Sequence, residues 1–126
     1  MTSHIHLIIG TNNTKLEDIM RDFKSHTSRK LKKTIKANPQ ESRKEWMIWM
    51  MERAGKKNSN NKDFQFWQQD NHPIELSNAI IMKQKLTYLH ANPVEAGFVA
   101  KQEEYTYSSA KDYLGEKGLL ELILIE

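Results

Sequence analysis

The chain has 126 residues, 38% of them hydrophobic, which allows one domain with a modest core. It contains no cysteine, so a disulfide framework and a thiolate metal site are excluded. No apolar run approaches membrane-spanning length, and no basic flank precedes a long apolar core at the N-terminus, which predicts a soluble, unexported, cytoplasmic protein.

The net charge of +3 is spread unevenly: nine Lys/Arg face two acidic residues over positions 21–44, while the tail after Lys101 is rich in glutamate. Such asymmetry suits an anionic partner such as nucleic acid. On charge alone, a solvated lysine-rich helix face fits equally well.

Residues 2–9 alternate as a strand does, with Ile5, Leu7 and Ile9 on one face and His4, His6 and Ile8 on the other. Two imidazoles two residues apart on one face can reach a single ion, which makes His4 and His6 candidate metal ligands. The plainer reading is two half-exposed histidines near a terminus. After a turn at 10–13, Thr14 and Glu17 have capping-box spacing and predict a helix. Its apolar positions Leu16, Ile19, Met20, Phe23, Leu31 and Ile35 leave Arg21, Lys24, Arg29, Lys32, Lys33 and Lys36 outside, up to a stop at Asn38-Pro39. Ser42 and Glu45 repeat the box. The helix they open carries Trp46, Met47, Ile48, Trp49, Met50 and Met51, apolar almost all round, and is expected to be buried or to contact another copy before Gly55 closes it.

Residues 56–63 form a polar loop and are the best candidate for local disorder. A short strand is predicted over 64–68. Its aromatics Phe64, Phe66 and Trp67 either stack on nucleobases or pack in the core, and packing is expected for at least two of them. Past the turn at His72-Pro73, Ser77 is expected to cap a helix whose buried stripe is Ala79, Met82, Leu86 and Leu89. Pro93 disfavours helical geometry in the residue before it, so this helix should fray near Ala91, with a turn closed by Gly97. Tyr88 and Asn92, four apart, share a face, and Lys85 sits three residues before the tyrosine. A phenol, an amide oxygen and an ammonium thus converge at a helix end, whereas His90 points off that face and reads as structural. Tyr105-Thr106-Tyr107 precedes a short helix over 109–114 stopped by Gly115, and the apolar run 119–125 reads as a strand completing a sheet. There is no internal repeat and no second domain.

His4-Ile5-His6, the segment Tyr88-Leu89-His90-Ala91-Asn92-Pro93-Val94 and the run Tyr105-Thr106-Tyr107-Ser108-Ser109, in that order, resemble the single-tyrosine HUH transposases, and within them the REP-associated tyrosine transposases. Met1-Thr2-Ser3-His4-Ile5-His6-Leu7 is similar to the family signature Met-Pro-Asn-His-Val-His-Leu, with Thr and Ser replacing Pro and Asn. The resemblance covers nearly the whole chain. It implies an α+β fold, a ferredoxin-like antiparallel sheet with helices on one face, forming a single partial domain over residues 1–126. Members carry a further strand, helix and strand before the histidine pair, so this chain is N-terminally truncated relative to the family. An unpaired strand edge then invites a homodimer.

The implied chemistry is cleavage and rejoining of single-stranded, hairpin-bearing DNA. Tyr88 attacks a phosphodiester to give a 5′-phosphotyrosine and a free 3′-hydroxyl. A free phenol titrates near 10 and needs help at neutral pH. The resemblance assigns that help to Mg²⁺ or Mn²⁺ held by His4 and His6, with Asn92 at the place of a third ligand. Asn92 before Pro93 also reads as a plain helix-ending residue. Lys85 would hold phosphate or favour phenolate, and Lys24, Arg29 and Lys33 on the basic helix would contact backbone phosphates. Such a protein works on the nucleoid in the cytoplasm. The competing readings are a catalytically inactive remnant that binds DNA or dimerises, and a general metal-dependent hydrolase using His4 and His6.

Overall fold

The computed structural model of the protein describes residues 3–61 and 63–125; Met1 and Thr2 of the signature segment, Lys62 of the polar loop and Glu126 lie outside them. Three α-helices carry the fold: α1 Leu16–Ala37, α2 Lys44–Lys56 and α3 Ala79–Glu95, followed by two 3-10 turns at Gln102–Glu104 and Asp112–Leu114. Among the described residues there is no β-strand. The expected ferredoxin-like antiparallel sheet is therefore overturned, and with it the strands predicted over 2–9, 64–68 and 119–125. Alternation and apolarity are properties of one segment, whereas a sheet is a hydrogen-bonded relation between segments. Here the segments have the composition without the partners. No described helix is long and apolar enough to cross a membrane.

The chain divides into two compact units, one spanning Gly10–Pro73 and the other joining Met1–Ile9 to Ile74–Glu126. Charge divides with them. The unit holding α1 and α2 has fourteen Lys/Arg against eight Asp/Glu, a net of +6, and the unit holding α3 has five against eight, a net of −3.

In the basic unit, α1 and α2 pack on each other with the aromatic segment 64–68 laid across both. The Gln65 N–H donates to the Met51 carbonyl at 3.0 Å, and Lys24 Nζ donates to the Gln68 carbonyl at 2.6 Å. Trp67 Nε1 donates to Thr27 Oγ1 at 2.8 Å, while that hydroxyl donates to the Phe23 carbonyl at 2.7 Å. Phe23 lies against Trp67, and Phe66 meets Trp67 edge-on. The Lys32 ammonium sits 4.5 Å above the Phe64 ring and 3.2 Å from Glu52 Oε1. These aromatics pack the unit together. Gly55 does not close α2; it is buried within the helix where the backbone of Phe64 crosses it.

Two predicted capping boxes are absent. Lys15 and Arg43 hold the N-cap positions of α1 and α2 without a side-chain cap, and Glu41 instead accepts the Arg43 N–H at 2.9 Å. α3 is capped one residue later than expected, by Asn78, whose Oδ1 accepts the Ile81 N–H at 2.9 Å. It also outlasts its predicted end and carries the buried Pro93 inside it. A proline removes a single N–H and is tolerated when the helix end is otherwise closed. Here Phe98 N–H donates to the Pro93 carbonyl and Gly97 N–H to the Val94 carbonyl, both at 2.9 Å, with Gly97 at φ +73°. That pattern is a Schellman motif, and it satisfies the carbonyls that a fraying end would leave bare.

Candidate active site

The α3 unit gathers three of the predicted site residues. The His4 and His6 rings lie 5.0 Å apart, centroid to centroid, nearly perpendicular, and the His6 ring lies 5.6 Å from the ring of Tyr88. Tyr88 is 51% exposed on α3, and its hydroxyl makes no hydrogen bond among the described residues. A phenol that neither packs away nor donates inward is available to an incoming group. Partial desolvation, with the neighbouring His4 imidazole second, lowers the proton affinity of His6. The neutral form is thereby favoured, and only that form offers a lone pair. Ser3 Oγ and His4 Nδ1 are joined at 3.3 Å, so Nε2 is the open nitrogen of His4.

Asn92 follows Tyr88 by one turn of α3. Its Nδ2 donates to the Tyr88 carbonyl at 2.9 Å, turning the amide back along α3. The carbonyl oxygen of that amide has no partner among the described residues. Lys85, half-buried, stands one turn before Tyr88 on the same helix. Among the described residues, no group of three or more His, Cys, Asp or Glu is arranged to hold a metal. The rings brought together are thus two imidazoles and the phenol, and no contact joins the Asn92 amide to the histidines among the described residues. Imidazole nitrogens as donors suit Mn²⁺ better than Mg²⁺.

His90 is 5% exposed, with Nε2 2.8 Å from Ser109 Oγ and the edge of Tyr113 against its ring. Tyr113 in turn accepts the Ile125 N–H at 2.9 Å, so this phenol is committed to holding the chain end. Burial pushes the His90 imidazole below its ordinary 6.5. The unfolded chain therefore binds a proton there more readily than the folded one. The stabilising contribution is complete above the unfolded value of 6.5 and is lost as pH falls through the depressed folded one. The urea midpoint is expected to be lower at about pH 5 than at about pH 7.5, and His90→Gln should narrow that difference.

The other three cationic candidates sit in the basic unit and differ in how they are held. Lys24 is tied to the Gln68 carbonyl, and Arg29 Nε donates to its own helix at the Ser25 carbonyl at 3.2 Å. Lys33 is exposed, and it lines two open depressions along α1 together with Lys30, Thr34 and Asn38 on one side and Arg29, Lys32 and Lys36 on the other. The open cationic face of the basic unit therefore lies in the second half of α1.

Of the two expectations for the tryptophans of α2, burial or contact with another copy, burial within the chain does not hold. Trp46 is 57% and Trp49 54% exposed, while Ile48 between them is buried. The signal was present in the cations at 43, 53 and 56, which fall on the tryptophan face at helical spacing. No family model, curated protein or solved structure matches the chain.

Proposed function

We propose that the protein is a DNA strand transferase of the single-tyrosine HUH type, cleaving and rejoining single-stranded hairpin DNA through a phosphotyrosine. The observation that carries this reading is the ring chain of His4, His6 and Tyr88, in which an exposed phenol meets the His6 imidazole and His6 in turn meets His4. The Tyr88 oxygen attacks the scissile phosphorus and loses its proton to solvent. The bond from phosphorus to the 3′-oxygen breaks, and that oxygen takes up a proton to become the free 3′-hydroxyl. The new ester stores the bond energy, so a second 3′-hydroxyl can displace the tyrosine without ATP. His4 and His6, with the Asn92 amide oxygen, would hold Mn²⁺ or Mg²⁺, which supplies Lewis-acid stabilisation of charge on the phosphate. Lys85 places a cation one turn from the phenol, where it would orient a phosphate oxygen. The +6 unit supplies the backbone contacts through Lys33 and its neighbours.

The test is a hairpin oligonucleotide with a single-stranded flank, mixed with protein and Mn²⁺ and resolved under denaturing conditions. A protein–DNA conjugate is expected. Chelation, or His4→Ala with His6→Ala, should remove it while leaving binding within about threefold, because those residues act on the reacting phosphate rather than on the duplex. A conjugate that survives both treatments sinks the metal assignment. The histidine segment pairs with no strand among the described residues, which favours a second reading, a DNA-binding remnant without catalysis. It predicts salt-sensitive binding and no conjugate under any metal.

A further inference from the structure

We infer that the exposed face of α2 is a base-stacking site for single-stranded DNA. The inference rests on the strand-transferase reading for its ligand and adds the place where unpaired bases are held. Arg43, Trp46, Trp49, Met50, Arg53 and Lys56 follow one another at helical spacing and form one continuous stripe. The opposite side of the helix does the packing: Ile48 is buried, Gly55 lies under Phe64, and Glu52 pairs with Lys32.

What remains outward is two indoles, each more than half exposed, beside Arg53 and Lys56, with Arg43 at the helix start paired to Glu41 at 3.1 Å. The Arg53 guanidinium lies 5.2 Å from the Trp49 ring centre, so the cation and the π-face are already set together. Every nucleobase offers a π-face to an indole, and every linkage between bases offers a negative charge to an arginine or lysine. Alternation of the two along one helix matches alternation of the two along a single strand. Charge decides the occupant. The face belongs to a unit with a net of +6, which repels a second copy of itself and attracts a polyanion. Duplex DNA hides its base faces, so the ligand is a single strand.

The experiment uses full-length Tyr88→Phe protein without divalent metal, so that no covalent chemistry contributes. Binding of an oligothymidylate is compared with binding of an abasic oligomer of equal length, with intrinsic tryptophan fluorescence as a second readout. The oligothymidylate is expected to bind about tenfold or more tighter and to quench the fluorescence. Trp46→Ala with Trp49→Ala should remove about ten- to a hundredfold of affinity and abolish the preference for bases, leaving the salt dependence in place. Trp46→Phe with Trp49→Phe, which keeps a ring at each position, should retain the preference. Equal binding of the abasic oligomer overturns the inference, as does an alanine pair that binds thymidylate like the parent. An alanine pair that dissociates an oligomer yet still binds DNA assigns the face to a second copy and also overturns it. A failed conjugate assay leaves these measurements unaffected, so the two readings fail separately.

Discussion

Tyr88→Phe is expected to abolish the denaturant-resistant protein–DNA conjugate, lowering its rate of formation by at least about a thousandfold, with oligonucleotide affinity nearly unchanged. The substitution removes one oxygen from a side chain that is half exposed and whose hydroxyl bonds to nothing among the described residues. No buried partner is orphaned, and the edge-on contact with His6 needs only the ring. Stability should therefore stay within about 0.5 kcal/mol, the range of ordinary surface changes. The competing phenols give the prediction its contrast. Tyr113 is committed to Ile125 and His90, and Tyr107, 80% exposed, has its ring against Tyr105. Tyr107→Phe should leave conjugate formation intact. If the Tyr88 variant still forms the adduct, the nucleophile is another residue and the ring cluster is only packing.

Gly55→Ala is expected to destabilise the protein by about 1–3 kcal/mol, read as a lower urea midpoint. In an exposed helix the same change would stabilise by roughly 0.5–1 kcal/mol, because alanine loses less entropy on folding. Here a Cβ would press on the backbone of Phe64, 2.6 Å from its Cα, and on the Asp63 carbonyl carbon at 2.8 Å. Backbone cannot rotate away as a flexible side chain can. The 63–65 segment must lift, and lifting it strains the Gln65–Met51 hydrogen bond and the seat of Phe64 beneath Lys32. Gly10 is the control: a Cβ there meets nothing within 4 Å, so Gly10→Ala should be close to neutral. A Gly55→Ala protein as stable as the parent would show that the aromatic segment does not cross α2 at this point.

The three helices were legible because apolar residues at a 3.6 period mark a helix from within its own segment. The stop at Asn38 and the left-handed glycines Gly97 and Gly115 were legible for the same local reason. The caps failed because Thr14 and Ser42 have the right spacing, yet helix entry there begins at Leu16 and Lys44. Pro93 failed because its penalty was judged alone, without the Schellman bonds that close α3 beyond it. The sheet failed for a larger reason. His4-Ile5-His6 alternates whether or not a neighbouring strand exists, so alternation could not establish pairing.

By itself, then, the amino-acid order determined the local matters: which stretches wind into helices, where glycine turns them, and where positive charge accumulates. Tertiary structure settled which side of α2 meets α1, a choice the cations beside Trp46 and Trp49 only foreshadowed, and it alone brought His6 against Tyr88 from the far end of the chain. Helix propensity and charge are carried by neighbours in sequence. Burial and ring contact belong to pairs of segments, and no spacing within one segment contains them.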